Sequence, residues 1–266
     1  MMAGEIVPEQ EGERDMKGIC VITGGARGIG RATARIAAGD GWDIAIGYRE
    51  RADAAEAVVA EVGALGRRAQ AFEADVADEA QVVQLFERVE SALGPIGAVV
   101  NSAGIAFHNR VEALDASQLT RMFEVNVIGL MLCCREAARR MSTARGGTGG
   151  AIVNVSSMAA TIGGRPGAST YAASKAAVDV FTTGFAKEVG PEGIRVNAVR
   201  PGVTDTDMIE RLRSPSVRAA IEAGIPMRRF GKPEEVAEAV VWLLSDKAAF
   251  VTGAHVNVAG GGFVIG

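Results

Sequence analysis

Tyr171 and Lys175, in the stretch YAASK, are four positions apart, so on a helix both side chains face the same space. The chain has only two tyrosines and sets this one directly after the glycine-rich stretch GGRPGAST. A phenol ordinarily loses its proton near pH 10, and bringing that value to neutrality costs about 4 kcal/mol. A unit positive charge ~4 Å away supplies about 4 kcal/mol at an effective dielectric of about 20, so one lysine ammonium is about sufficient. A tyrosine tuned in this way exchanges a proton with an alcohol or carbonyl oxygen near neutral pH, which is what general acid-base catalysis requires. Moving a hydride between C-OH and C=O needs such a proton partner.

A second feature points to the hydride carrier. TGGARGIG, at 23–30, follows an apolar run and opens a helical pattern. Gly24, Gly28 and Gly30, with Arg27 and Ile29 between them, let the backbone turn tightly against a pyrophosphate while the free N-H groups of the helix face the anion. The spacing is G-x-x-x-G-x-G rather than the common G-x-G-x-x-G, and no Gly-Lys-Ser/Thr follows, which excludes a phosphate-loop nucleotidase. Other chemistries lack their residues. Cys20, Cys133 and Cys134 form no C-x-x-C pair, and His108 and His255, the only histidines, have no carboxylates clustered near them, so no metal-ligand set is expected. A net charge of -4 leaves no footprint for nucleic acid. The longest apolar run, VIGLMLCC, is far shorter than the roughly 20 residues that span a bilayer, and the first residues carry no apolar signal segment, so a cytoplasmic address is expected.

The elements that must position these groups follow from the patterning. Residues 1–16 read as a flexible leader, and residues 17–266 as one domain. Apolar runs (GICVIT, DIAIGY, AQAFEA, IGAVVN, AIVNVSS, IRVNAV, AHVNVA) alternate with helical patterns near 28–38, 51–64, 78–93, 117–143 and 170–189 and after Pro233. Asp78 and Gln81 have capping-box spacing. Segment 204–230 reads as irregular, the place for a substrate lid. Sustained strand-helix alternation demands right-handed crossovers and therefore a doubly wound α/β fold, a parallel sheet of about seven strands with helices on both faces. Ligands bind such sheets outside the carboxyl ends of the strands, here at Thr23, Tyr48, Asp75, Asn101, Ser156 with Ser157, and Arg200 with Pro201.

TGGARGIG, NSAG at 101–104, the serines at 156 and 157, YAASK and RPGVTDT at 200–206, in this order and spacing, resemble the short-chain dehydrogenases/reductases, from about residue 17 to the C-terminus. Within that family the chain is most similar to members labelled glucose-1-dehydrogenase-like or 3-oxoacyl-carrier-protein-reductase-like. The resemblance implies a Rossmann-type fold and an NAD(P)-dependent enzyme acting on CH-OH donors. By the same resemblance Tyr171 is the general acid/base, Lys175 lowers its pKa and holds the nicotinamide ribose, and Ser157 binds the substrate oxygen, with Ser156 the alternative. Asn126, in EVNVIG, would kink its helix and support a water relay to Lys175. Asn101, Ala103 and Gly104 would line the adenosine ribose, Asp75 and Val76 would meet the adenine, and Pro201, Gly202, Val203 and Thr206 would enclose the nicotinamide. Ser102 replaces a common Asn, Ala259 a common Asp, and the interval from Ser157 to Tyr171 is one residue longer than in many relatives.

The end of the second strand carries Tyr48 and Arg49 by register with the family, with Arg27 nearby and no acid, which favours NADP. Glu50 keeps NAD open if the strand ends later, because a carboxylate there would bind a ribose 2'-hydroxyl. The resulting expectation is an NADP-dependent oxidoreductase interconverting a secondary alcohol and a carbonyl, with a small-molecule substrate shaped by His108, Met158, Ile162, Arg165 and the lid. A homo-tetramer packed on the Tyr171 helix and the last strand is implied by the resemblance. The alternatives are a dinucleotide-binding sensor without turnover and a methyltransferase of similar fold.

Overall fold

The computed structural model describes residues 17–212 and 214–262. The leader expected over 1–16 lies outside the described residues, as do Arg213 of the lid segment and the last four residues of the apolar tail.

Seven strands form one parallel sheet: β1 (Ile19–Thr23), β2 (Asp43–Tyr48), β3 (Ala69–Glu73), β4 (Ile96–Asn101), β5 (Gly150–Val155), β6 (Ile194–Pro201) and β7 (His255–Val258). Their spatial order is β3-β2-β1-β4-β5-β6-β7. The chain therefore winds outward from β1 in one direction and from β4 in the other, and a crevice opens between the two at their carboxyl ends. Thr23 on β1 pairs with Asn101 on β4, and Asn101 pairs with Asn154 on β5, so three polar residues stand side by side at that edge.

The helices divide between the two faces because the central strands are apolar on both sides. On one face α1 (Gly28–Gly39), α2 (Ala52–Ala64) and α9 (Pro233–Leu244) bury Ala34, Val58, Val62, Val240 and Leu243 against the sheet. On the other face α3 (Glu79–Leu93), α5 (Leu130–Met141) and α7 (Ser169–Val189) bury Leu85, Phe86, Cys133, Met141, Val178 and Phe185. The expected doubly wound sheet is the observed fold. Burial drives the thiols of Cys20 and Cys134 well above the ordinary range and that of Cys133 to about 12, which makes all three inert apolar filling.

The structure differs locally from the sequence expectations in four places. The helical region expected as one piece over 117–143 is α4 (Ala116–Phe123), a π-helical turn (Glu124–Gly129) and α5. Gly129 closes that turn: a Cβ there would stand 2.5 Å from the Val76 carbonyl oxygen, so only glycine lets the turn rest on the segment after β3. At the start of α3 Asp78 accepts from the Gln81 N-H at 3.1 Å, but the Gln81 side chain reaches back to the Asp75 N-H rather than to that of Asp78. Segment 204–230 contains a regular helix, α8 (Pro215–Ala223), where irregular chain was expected. Pro215 supplies the preset first turn, and Ile221, Ile225 and Phe230 bury one another in a small cluster that the local sequence could not reveal as a core. A short helix, α6 (Ala159–Ile162), follows β5 and was not foreseen.

Gly129→Ala should lower stability by about 1–3 kcal/mol, because the added methyl meets backbone rather than a side chain that can rotate away. Chemical unfolding of the two proteins side by side measures this; equal midpoints and slopes would mean the π-helical turn is not held by that contact.

Candidate active site

The site is assembled at the carboxyl ends of β1, β4, β5 and β6, around a cavity of about 510 Å³. Its centre is the first two turns of α7. Tyr171 and Lys175 lie one turn apart and both line the cavity, with Ser156 and Ser157 at the end of β5 opposite them. The Ser157 hydroxyl is hydrogen-bonded to the phenol of Tyr171, and it also accepts from the Ala159 N-H at 3.1 Å. Lys175 is 4% exposed, and its ammonium donates to the Val155 carbonyl at 2.8 Å.

Further hydrogen bonds fix this turn of helix from either side. Ser156 donates to the Lys175 carbonyl at 3.2 Å. Asn126, fully buried in the π-helical turn, donates to the Ser174 hydroxyl at 3.1 Å, and Ser174 in turn donates to the Tyr171 carbonyl at 2.7 Å. The remaining capacity of the Asn126 amide is spent on Ile105, whose N-H it accepts and whose carbonyl it donates to, both at 2.9 Å. Asn126 thereby ties the loop after β4 to α7 from behind, without lining the cavity itself.

The electrostatics correct one sequence-based argument. Lys175 was expected to draw the Tyr171 pKa down. Burial raises the phenol instead, partly offset by the Ser157 hydrogen bond. The ammonium stands 5.9 Å from the centre of the Tyr171 ring, turned toward Val155, and burial lowers its own pKa to about 8. Loss of water dominates for both groups, over the Ser157 hydrogen bond for the phenol and over the attraction of Asp179 for the ammonium. Asp179, one turn beyond Lys175, pulls the lysine back up. That carboxylate is buried, accepts from Arg200 Nε at 2.8 Å, and connects α7 to the end of β6; His255 Nε2 donates to its backbone carbonyl at 3.0 Å. Sequence reading missed Asp179, although its four-residue spacing from Lys175 was visible.

The glycine loop provides a cradle that side chains would fill. A Cβ on Gly24 would lie 2.8 Å from Ala103, and one on Gly30 would lie 2.3 Å from the Gly24 carbonyl, while Gly28, at φ 52, faces Thr206. Gly24, Arg27, Gly28 and Ile29 line one end of the cavity with Tyr48, Arg49, Asp75 and Val76; Ala103 and Gly104 form its floor; Pro201, Gly202, Val203 and Thr206 close it beside Tyr171. A phosphate-bearing dinucleotide fits that shape. Two positions differ from expectation. Gly30 does not reach the cavity and acts through close packing of helix on loop. Asn101, expected to line a ribose, is turned into the core, where its amide donates to Asn154 Oδ1 at 2.9 Å and to Cys134 Sγ at 3.3 Å, because β4 and β5 pair at that register. Arg51 and Arg121 also line the cavity and were not foreseen. Arg51 sits in the left-handed region at φ 64 as the residue before α2 and pairs with Asp53 at 3.2 Å, while Arg121 pairs with Asp75. Glu50, the residue that kept NAD open, is engaged by Arg49 beside it.

A doubly wound sheet whose glycine loop and Tyr-Lys pair share one cleft defines a dinucleotide-binding oxidoreductase. A family model described as Enoyl-(Acyl carrier protein) reductase matches residues 24–262. The chain is 47% identical over 244 residues to the Uncharacterized oxidoreductase YgfF of Escherichia coli (strain K12), covering 91% of this chain and 99% of that protein. It is 40% identical to the Cis-4-hydroxycyclohexanecarboxylate dehydrogenase of Sinomonas cyclohexanicum, covering 94% and 98%. A short-chain dehydrogenase from Burkholderia cenocepacia J2315, solved in complex with NADP, superposes with a TM-score of 0.86 at 37% identity, covering 94% of this chain and 99% of that one. The chain belongs to the short-chain dehydrogenase/reductase family of NAD(P)-dependent oxidoreductases. No helix among the described residues is long and apolar enough to cross a membrane.

Lys175 gives the site a pH signature. Its folded value near 8 lies below the ordinary 10.5, so between those values the unfolded chain holds a proton that the folded chain has released. Its contribution to stability therefore rises as pH climbs through that window, and below the window the folded protein carries the full cost of a buried ammonium. Relative to Lys175→Met, the cofactor-free wild type should gain up to roughly 3 kcal/mol between about pH 7 and about pH 10.5 in chemical unfolding. A difference that stays flat across that range would contradict the burial argument.

Proposed function

We propose that this chain is an NADP-dependent oxidoreductase that interconverts a secondary alcohol and a carbonyl compound, with Tyr171 as general acid/base. The observation that carries the reading is the hydrogen-bonded pair of Ser157 and Tyr171 hydroxyls facing the same cavity as the glycine loop, with the Lys175 ammonium buried one turn further along α7. NADPH, held by the glycine loop at Gly24 and Gly28 and by Pro201, Gly202 and Val203, would supply a hydride, two electrons with one hydrogen, to the carbonyl carbon. Ser157 and Tyr171 hydrogen-bond the carbonyl oxygen and hold it at the end of β5. As the C=O π pair moves onto that oxygen, Tyr171 delivers its proton there and the alcohol forms; oxidation runs the same proton transfer backward. Lys175 favours the phenolate left behind, and Asn126 keeps the Tyr171 turn in place through Ser174.

NADP rather than NAD is supported by the guanidiniums of Arg27, Arg49 and Arg51 around the end of β2, since a 2'-phosphate needs positive charge and forked donors. The relative solved with NADP supports the same choice. The Sinomonas relative, named for a ring alcohol bearing a carboxylate, supports a secondary alcohol as substrate and makes that compound the first to assay.

Tyr171→Phe should lose roughly 10²- to 10⁴-fold in kcat while still binding NADPH, as measured by steady-state absorbance and by fluorescence titration. Turnover retained within a few-fold would remove the phenol from the mechanism, whereas a protein with no turnover on any alcohol or carbonyl compound would be a sensor. NADPH should bind at least about tenfold more tightly than NADH, a difference of about 1.4 kcal/mol; equal dissociation constants by titration would overturn the cofactor assignment.

A further inference from the structure

Beyond Ser157 and Tyr171 the cleft continues between apolar walls that include Ala106, Met158, Ile162 and Ile209. Among the described residues one arginine lines this part of it, Arg165, six residues before Tyr171 in the loop between α6 and α7. The loop holds the root of that side chain in a defined place. The Arg165 carbonyl accepts from the Ala168 N-H at 2.8 Å, closing a turn, and Gly167, at φ 83, lies against the Asn109 backbone across the mouth.

Charge pairing sets Arg165 apart. The other guanidiniums lining the cavity, those of Arg27, Arg31, Arg49, Arg51 and Arg121, each have a carboxylate at ion-pair distance, the longest separation being 3.9 Å from Arg27 to Asp207. Among the described residues Arg165 has none. The residue is exposed at the mouth, yet the surrounding walls strip enough water to hold its pKa below the ordinary arginine range. A cation in that position gains from a counter-ion that neither the described residues nor bulk water fully provides. A single guanidinium among apolar walls matches a single negative charge, so the complement is a carboxylate on an otherwise apolar body rather than a phosphate dianion.

We propose that Arg165 binds a carboxylate of the substrate, so that the enzyme selects oxo acids and hydroxy acids whose acid group stands several bonds from the reacting carbon. This assignment rests on the alcohol-carbonyl reading of the same cleft. The reacting oxygen sits on Ser157 and Tyr171, the apolar body lies along Met158 and Ile162, and the carboxylate takes the forked donors of Arg165 at the mouth.

The test uses the full chain with NADPH and matched probes, 5-oxohexanoate and 4-oxocyclohexanecarboxylate against their methyl esters, in wild type, Arg165→Gln and Arg165→Lys. The acid-to-ester ratio of kcat/KM should fall roughly ten- to a hundredfold in Arg165→Gln, the loss falling on KM, with part restored in Arg165→Lys. A ratio that is the same in wild type and Arg165→Gln, with the esters still reduced, would overturn the role of Arg165 and leave the alcohol-carbonyl reading standing. If no probe is reduced, calorimetric titration of the two acids into NADPH-loaded protein decides. Binding weakened at least tenfold in Arg165→Gln would keep the carboxylate site and sink the carbonyl chemistry, and binding that is equal or undetectable in both proteins would overturn the site as well.

Discussion

A lysine ammonium kept almost wholly out of water, with a backbone carbonyl at 2.8 Å as its hydrogen-bond partner, governs how the rest of the site is built. Burying such a charge costs several kcal/mol, and the cost is tolerable only where the surrounding groups cannot relax away from it. The chain meets that condition with short, mutually braced elements. Val155 is the last residue of β5, so the accepting carbonyl belongs to the rigid sheet. Ser156 binds the Lys175 carbonyl from the strand side, and Asn126 reaches Ser174 from the helix side. Asp179 and Arg200 then link the next turn of α7 to the end of β6 at 2.8 Å. Moving any one of these elements would expose or strand the ammonium, and in this sense the charge enforces the geometry of its neighbours.

The same economy explains why polar residues fill the interior at the reversal of strand order. The crevice between β1 and β4 exists because the chain winds in two directions from those strands, and something must hold its two lips at a fixed distance. Thr23 accepts from the Ala103 N-H at 3.3 Å across the crevice. Asn101 binds Asn154, Asn154 donates to Thr182 at 2.9 Å, and Thr182 donates to the Val178 carbonyl at 2.8 Å, which carries the connection from β4 through β5 into α7. Apolar side chains at these positions would pack without direction. Hydrogen bonds at low dielectric are directional and costly to leave unmade, so they set register and not merely proximity.

Much of this was legible in the sequence because it depends on local spacing. β2 and β4 run over the residues whose apolar run marked them, and Pro233 opens α9 where a fixed φ suits a first helical turn. The residues that line the cleft could be picked out because strand ends, a glycine loop and a Tyr-Lys pair each leave a short-range pattern. What escaped depends on contacts between distant segments. The π-helical turn at Glu124–Gly129 keeps helical periodicity on both sides and is betrayed only by the approach of Val76 to Gly129. Helix α8 buries Ile221 against Ile225 and Phe230 of the chain that follows it, a contact that no local pattern marks. Asn101 and Asn126 point away from the cavity for reasons of register and loop bracing that no motif records. Arg51 and Arg121 join the cleft through the left-handed turn before α2 and the packing of α4.

The sign of the electrostatics is the largest departure and also the most instructive about mechanism. Balancing a phenol against one ammonium, as charges in a uniform medium, leaves out the loss of water that both groups suffer on entering the cleft. With that loss included each is pushed toward its neutral form, the tyrosine upward and the lysine downward. The resting phenol therefore holds its proton, which on the proposed reading is the state needed to donate to a carbonyl oxygen. Ser157 accounts for the opposing bias, since a hydrogen bond to the phenol lowers its pKa without adding a charge. On the proposed reading the reverse reaction needs the phenol ionised, a state that burial opposes, and Lys175 is turned to Val155 while Asp179 pairs with Arg200 behind it.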